Sequence, residues 1–157
     1  MNVEETSFGL ARFVAAQDRM VRTESGQQSE FETALAEVRA GAKRSHWMWY
    51  IFPQLRGLGR SSTAQHYGLE GAAEAKAYLS HEVLGPRLVT ICEAACSLGD
   101  VSARSVFGSP DDMKLRSCAT LFAKLSEPGS VFHRLLEKYF NGEADPGTLE
   151  MLGAAGD

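Results

Sequence analysis

The sequence predicts an all-α fold: a compact single-domain bundle of about seven to nine helices, several of them short. Three observations lead to this prediction. Apolar residues recur at the three- and four-residue spacing of an amphipathic helix along most of the chain. Helix caps and glycine stops separate these segments. No segment alternates strictly between apolar and polar residues, and no hairpin dipeptide joins two strand-like runs.

The first predicted elements are two helices separated by a polar loop. An apolar stripe within residues 10–17 predicts a short helix, and the polar stretch 22–28, which contains a glycine, predicts the loop. Ser29 and Glu32 form a capping-box pattern, in which the serine oxygen accepts a backbone N–H and the glutamate bonds back. The helix that they begin ends near Gly41, a residue that suits a helix C-terminus.

Three more helices are predicted in the middle of the chain. Ser61 or Ser62 caps a short helix that runs through Tyr67, and apolar residues within 74–79 indicate another. Pro86 suits the first turn of a longer helix, whose apolar stripe ends at a glycine.

The last predicted helices carry strong terminal signals. The Ser-Pro pair at 109–110 gives the next helix a serine cap and a first-turn proline. A stripe at 132–140 is followed by an asparagine and a glycine that suit a helix end. Asp145 precedes a proline and opens a final short turn. Both chain ends, about residues 1–6 and 153–157, are expected to fray.

Length and composition point to one soluble domain that spans residues 1–157. Hydrophobic residues make up 44% of the chain and charged residues 23%, which is ordinary for a globular protein. The net charge of −4 argues against general nucleic-acid binding, which favours basic surfaces. No apolar run is long enough to cross a membrane, and the acidic N-terminus lacks signal-peptide features. We therefore expect a cytoplasmic protein without a membrane partner.

Three cysteines, Cys92, Cys96 and Cys118, lack the spacing of a disulfide framework or of a zinc site. They are predicted to be free thiols that pack as small hydrophobic side chains. The four histidines show no paired ligand spacing either, so neither a metal nor another cofactor is expected.

The most distinctive segment is the run 43–60, which holds both tryptophans and is basic at each end. A segment this apolar either belongs to the core or forms a recognition surface. Residues 46–52 fit a buried strand or a buried helical turn, and Ser45 as a cap favours the helical turn. Because Trp47 and Trp49 diverge by about 200° on a helix, one is expected in the core and the other beside a cleft.

Residues 45–59, Ser-His-Trp-Met-Trp-Tyr-Ile-Phe-Pro-Gln-Leu-Arg-Gly-Leu-Gly, closely resemble the signature of a bacterial family, domain of unknown function 1810, whose members often carry the label calpastatin. Cys118 and Ala119 depart slightly from its pattern. The resemblance implies a mainly helical single domain and no established activity, and it does not carry over the inhibitor role that the label suggests. Further matches lie along nearly the whole chain, at Tyr67, 74–79, 84–88, 107–108, Asp111, 114–115, 120–122 and 139–142.

An arginine- and glycine-rich turn is the first candidate site. Arg56, Gly57, Gly59 and Arg60 precede two serines and a predicted helix. Glycines let backbone N–H groups point at one spot, and a helix N-terminus favours an anion. The spacing fits neither a Walker motif nor a dinucleotide fingerprint. The alternative is a tight turn with a serine cap.

Five further residues complete the candidate set. His46 follows two cationic residues and is the candidate acid or base, against the alternative of a structural histidine that bonds a backbone carbonyl. The ligand-binding set adds one of Trp47 and Trp49 together with Gln54. Lys114 is added to the ligand-binding set because this lysine matches the family pattern.

The leading hypothesis is a site for a phosphate-bearing or nucleotide-like small molecule, and whether a reaction occurs there is left open. The rival hypothesis is a protein-interaction module that exposes the run 43–60, since Trp, Tyr and Arg dominate such surfaces. A protein partner belongs to the second hypothesis, and neither hypothesis includes a nucleic acid or a membrane.

Overall fold

The structure is a computed structural model that describes residues 8–24 and 26–154. It is mainly helical, with one small sheet. Within the described residues there are ten helices. The segment 48–51 forms the expected helical turn, and 103–107 forms a short helix that was not predicted. In chain order the elements are α1 (Ala11–Asp18), β1 (Met20–Thr23), β2 (Gly26–Ser29), α2 (Glu30–Arg39), α3 (Met48–Ile51), α4 (Ser62–Tyr67), α5 (Ala72–Ser80), α6 (Leu84–Cys96), α7 (Ala103–Phe107), α8 (Asp111–Lys124), α9 (Val131–Phe140) and α10 (Pro146–Ala154).

A two-stranded hairpin replaces the loop expected at 22–28, so the strict all-α prediction is wrong at this point. Strands β1 and β2 pair in antiparallel fashion, with Met20 opposite Ser29 and Thr23 opposite Gly26. None of the described hairpin side chains is buried. Backbone hydrogen bonds hold such a hairpin together without a hydrophobic face, so no apolar alternation marks it in the sequence.

Several predicted helix ends are confirmed by the backbone. Ser29 and Glu32 form the expected reciprocal capping box at the start of α2. The Ser61 hydroxyl accepts the backbone N–H of Ala64 and caps α4. Asn141 adopts the left-handed conformation, with φ +55°, at the end of α9. These signals are local, so the sequence alone was sufficient to place them.

Two serine caps were predicted wrongly. Helix α8 begins at Asp111 behind Pro110, without a side-chain cap from Ser109. Helix α3 begins at Met48, and the Ser45 hydroxyl donates instead to a glutamate on α2. Ser45 lies two residues before Trp47, which occupies the N-cap position, so its oxygen is not placed to cap the helix.

The final helix is longer than expected. Helix α10 reaches Ala154 rather than ending after a short turn, and the Asp145 side chain accepts the backbone N–H of Thr148 in its first turn. The expected fraying of 1–6 falls outside the described residues. In the tail 153–157, residues 153 and 154 belong to α10, so fraying is wrong there, and 155–157 lie outside the described residues.

The core is formed largely where α5, α6, α8 and α9 pack against one another. The run 43–60 supplies a major part of the core, and its fully or nearly buried side chains are Trp47, Met48, Tyr50, Ile51, Phe52 and Leu55. The cysteines are free, with Cys92 and Cys118 buried and Cys96 half-buried. No described helix is both long and apolar enough to cross a bilayer.

A buried ion pair fastens α1 to α5. Arg12 Nη1 lies 3.0 Å from Glu74 Oε2, and the Glu74 side chain is 1% exposed. Arg12 also donates through Nε to the carbonyl of His66 at 2.8 Å and through Nη2 to that of Gly68 at 3.1 Å. One guanidinium thus links α1 to α4, to α5 and to the chain between them.

Candidate functional site

A single carboxylate on α2 holds the beginning of the aromatic run. Glu37 Oε1 accepts the backbone N–H groups of Arg44 at 2.7 Å and Ser45 at 3.0 Å. The same oxygen accepts the indole Nε1–H of Trp47 at 2.9 Å, and Oε2 accepts the Ser45 hydroxyl at 2.6 Å. Four donors therefore fix residues 44–47 against α2. No sequence motif marks Glu37 for this role.

These hydrogen bonds favour the ionised form of Glu37. Burial raises the pKa of the carboxyl, but the hydrogen bonds from Ser45, Arg44 and Trp47 outweigh it, so the pKa lies below the ordinary value. The pKa of Glu37 is lower in the folded protein than in the unfolded chain, where it is about 4.3. Glu37 therefore stabilises the fold fully above the unfolded-state pKa, and this stabilisation is lost as the pH falls through the folded-state pKa.

Replacing Glu37 with Gln is therefore expected to destabilise the protein at neutral pH and to matter less in acid. The difference in unfolding free energy between wild type and Glu37→Gln should be largest above about pH 6 and should shrink below about pH 4. Urea unfolding at a series of pH values measures it. Glu127→Gln, at an exposed position, is the control. A difference that stays constant with pH contradicts the assignment.

Two lysines meet one aspartate beside the tryptophans. Lys43 Nζ lies 2.9 Å from Asp111 Oδ2, and Lys114 Nζ lies 3.0 Å from Asp111 Oδ1. The Lys43 ammonium lies 5.0 Å from the centre of the Trp47 ring, and the Lys114 ammonium lies 4.0 Å from that of Trp49. We call Lys43, Trp47, Trp49, Asp111 and Lys114 the aromatic–lysine cluster.

The cluster carries a partly shielded positive charge. Burial raises the pKa of Asp111, but its bonds to Lys43 and Lys114 outweigh that effect and hold the pKa below its ordinary value. One carboxylate thus faces two ammonium groups, which leaves one net positive charge. The side chains are 8% exposed for Lys43, 17% for Asp111 and 19% for Lys114, so solvent screens this charge only in part.

Trp49, Lys114 and Lys43 each retain an N–H group without an acceptor among the described residues. The buried Trp49 Nε1–H has no acceptor among the described residues. Lys114 gives one of its three N–H groups to Asp111, and Lys43 gives one to Asp111 and another to the Ser45 carbonyl at 2.5 Å. Donors next to a net positive charge favour an anionic acceptor.

One tryptophan lies in the core, as expected, and a cleft beside the other stays a prediction. Trp47 is 0% exposed and belongs to the core, whereas Trp49 is half-buried and touches the Lys114 ammonium. His46 is exposed, and its backbone carbonyl accepts the Tyr50 hydroxyl at 3.2 Å. The structure therefore brings Trp49 and Lys114 together, and it leaves the imidazole of His46 on the surface.

The arginine–glycine turn is engaged in internal contacts. Arg56 donates through Nε to the carbonyl of Gln65 at 3.1 Å and through Nη1 to Glu70 at 3.0 Å. The φ of +105° at Gly57 suits glycine, and a Cβ added at Gly59 would lie 2.7 Å from the Ala64 side chain. These contacts are those of a tight turn.

The rest of the predicted turn site has a similar role. The Gln54 carbonyl accepts the N–H of Leu69 at 3.0 Å, next to a parallel bridge between Leu55 and Leu69. Arg60 is exposed, and its carbonyl accepts Gln65 Nε2 at 3.3 Å. These residues tie the turn to α4 and to the strand-like segment that follows it.

Sequence reasoning missed two members of the cluster. In the sequence, Asp111 stands out only as a match to the family pattern, and Lys43 only as a basic flank of the aromatic run. The matches of Asp111 and Lys114 to the family pattern were the available signals, and no pattern pointed to Lys43. A contact between residues 43 and 111 depends on the tertiary fold, which local patterns do not encode.

The comparisons with known proteins agree with this fold. The family model described as "Protein of unknown function (DUF1810)" matches residues 7–152. A crystal structure of the conserved hypothetical protein Rv1873 from Mycobacterium tuberculosis is 42% identical to the chain, with a TM-score of 0.84. The match covers 94% of this chain and 98% of that one. A search of curated proteins finds no significant match.

Proposed function

Because the chain belongs to the DUF1810 family, whose function is unknown, we propose a function from the site itself: binding of a phosphate-bearing small molecule at the aromatic–lysine cluster. The observation that carries the proposal is the buried indole N–H of Trp49, which lacks an acceptor in the described chain. The Trp49 ring contacts Lys114, one of two lysines that share the Asp111 carboxylate. A phosphate oxygen supplies the missing acceptor, and its charge offsets the net positive charge.

The cluster supports the proposal better than the arginine–glycine turn does. At the turn, Arg56 already binds a carboxylate and a carbonyl, and α4 has only six residues. At the cluster, Lys43 and Lys114 retain N–H groups after binding Asp111. We therefore place the phosphate group against Lys114 and Trp49, where the two lysine side chains remain partly accessible.

The rival hypothesis of an exposed aromatic groove has less support, because most of the aromatic side chains are buried. The side chains of Trp47, Tyr50 and Phe52 are all at most 5% exposed. A buried side chain offers no contact area to a partner protein. The aromatic part of the run therefore offers little surface, and an interaction module would rest on the exposed side chains of the run, Arg44, His46, Arg56 and Arg60.

Inorganic phosphate is expected to raise the melting temperature of the wild type, because a ligand that binds only the folded state stabilises it. Lys114→Met should remove most of this shift. Lys124→Met, an exposed lysine on the same helix, is the matched control and should retain it. Sodium chloride at equal ionic strength separates binding from general screening. Tryptophan fluorescence of the same samples reports whether Trp49 senses the anion.

Two results contradict the proposal. The first is a wild type whose melting temperature and fluorescence do not respond to phosphate. The second is a shift that survives in Lys114→Met but disappears in Arg56→Ala, which would place the anion at the arginine–glycine turn instead. Circular dichroism of each variant establishes that it is folded before its titration is interpreted.

A further inference from the structure

The Lys43 ammonium has three polar or aromatic contacts in the described chain, and two of them are to residues that Glu37 holds. The ammonium donates to the Ser45 carbonyl at 2.5 Å and lies 5.0 Å from the centre of the Trp47 ring. Its third contact is the carboxylate of Asp111, 2.9 Å away. Glu37 accepts hydrogen bonds from the N–H and the hydroxyl of Ser45 and from the indole of Trp47. One carboxylate therefore fixes two of the three groups that the ammonium contacts.

The backbone of this segment has anchors that do not use the Glu37 side chain. The Lys43 N–H donates to the Val106 carbonyl at 2.8 Å, and the Ala42 N–H donates to the backbone carbonyl of Glu37 at 3.0 Å. Both bonds remain when the side chain at position 37 is changed. Loss of the carboxylate should therefore release the Ser45 carbonyl and the indole while the backbone of residues 42 and 43 stays in place.

The position of Lys43 determines whether the aromatic–lysine cluster is positively charged. Asp111 pairs with both Lys43 and Lys114, so the three side chains carry one net positive charge. If the Lys43 ammonium moved away, Asp111 and Lys114 would remain as a neutral pair. Lysine has a long flexible stem, and ordering it costs side-chain entropy that the contacts to Ser45 and Trp47 offset.

We propose that Glu37 is a positioning residue of the aromatic–lysine cluster: through Ser45 and Trp47 it holds the Lys43 ammonium at Asp111, where the ammonium adds the positive charge that a phosphate group meets. The proposal rests on phosphate binding at that cluster, but the positioning of Lys43 is observable without a ligand. Glu37 is itself negatively charged at neutral pH, so its direct electrostatic effect opposes an anion. Positioning and charge therefore predict opposite results when Glu37 is replaced.

Isothermal titration with inorganic phosphate separates the two effects. Glu37→Ala removes all four hydrogen bonds, whereas Glu37→Gln keeps one side-chain oxygen as an acceptor. Both variants remove the same charge, so an effect of charge alone would tighten phosphate binding equally in both. Positioning predicts about two- to tenfold weaker binding in Glu37→Ala, with Glu37→Gln between that variant and wild type. Glu32→Gln is the matched control and should bind like wild type, because it removes an equal charge from the same helix and its glutamine can keep the capping box.

A double variant tests whether Glu37 acts through Lys43. Lys43→Met alone should weaken phosphate binding, because it removes one of the two ammonium groups. In the Lys43→Met background, Glu37→Ala should cause no further weakening, since the group that Glu37 positions is already gone. A further weakening as large as in the wild-type background overturns the proposal. Phosphate binding that is unchanged or tighter in folded Glu37→Ala overturns it as well.

The protein without phosphate gives a second readout, the NMR shifts of the Lys43 methylene protons next to the ammonium. The ring current of Trp47 displaces these shifts while the side chain lies against the ring. They should move toward the values of free lysine in Glu37→Ala and stay unchanged in Glu32→Gln.

This readout distinguishes failure of the positioning role from failure of the proposed function. Unchanged Lys43 shifts in folded Glu37→Ala overturn the positioning role, whether or not phosphate binds. If the wild type ignores phosphate but the shifts move, the proposed function fails and the positioning of Lys43 by Glu37 stands. Circular dichroism establishes folding first, and if Glu37→Ala is unfolded, Glu37→Gln replaces it in both measurements with the same expected directions and the same overturning results.

Discussion

Trp47→Ala is expected to lower the free energy of unfolding by about 3–5 kcal/mol, the range for truncating a large buried aromatic side chain. Trp47 is 0% exposed, and its ring lies 6.1 Å from that of Phe52. The truncation leaves a cavity and also removes the indole donor that Glu37 accepts at 2.9 Å. Urea unfolding monitored by circular dichroism gives the free-energy difference.

The two tryptophans provide an internal comparison. Trp49→Ala should cost less, because Trp49 is only half-buried and its N–H has no acceptor to lose in the described chain. Trp47→Phe keeps a ring and removes the donor, so its cost should lie between that of Trp47→Ala and zero. If Trp47→Ala unfolds at the same urea concentration as the wild type, residues 46–52 do not contribute to the core as described.

Arg12→Ala is expected to cost about 3–5 kcal/mol, because it breaks a buried ion pair and leaves one charge uncompensated. The Glu74 side chain is 1% exposed and is the carboxylate left behind, although it still accepts the backbone N–H of Glu70 at 2.7 Å. The carbonyls of His66 and Gly68 lose a donor as well. Thermal and urea unfolding of the variant measure the loss.

A double variant separates the charge from the hydrogen bonds. Arg12→Ala with Glu74→Gln removes the unpaired charge and should recover part of the stability lost in Arg12→Ala. Arg134→Ala breaks an exposed pair with Glu93 and should have little effect, because solvent already screens that pair. If Arg12→Ala and Arg134→Ala lower the free energy of unfolding equally, burial of the Arg12–Glu74 pair does not add to its contribution to stability.

Local signals account for the part of the fold that the sequence predicts. The capping box of Ser29 and Glu32 and the helix end at Asn141 depend on residues at most a few positions apart. The apolar content of the run 43–60 predicted that one of its two tryptophans belongs to the core. In each case the physical cause and its sequence signal lie in the same segment.

The candidate site depends on contacts that are distant in sequence. Glu37 reaches Trp47 across the end of α2, and Lys43 meets Asp111 from a different part of the chain. A single glutamate or lysine has no periodicity that marks its partner, and most such residues in a helical protein are solvated. The hairpin escaped prediction for a related reason, since its strands of four residues bury no side chain.

The hairpin buries little surface, so it is expected to open independently of the helical core. Native proteins open in units whose free energies range from near zero to that of global unfolding, according to how much each unit buries. The hairpin buries none of its described side chains, whereas Trp47 and its neighbours are central to the core. Its backbone amides therefore belong to a subglobal unit that exchanges with solvent hydrogen while the helices stay folded. The hairpin thus has its own conformational equilibrium, and its backbone amides are expected to exchange hydrogen faster than those of the core helices.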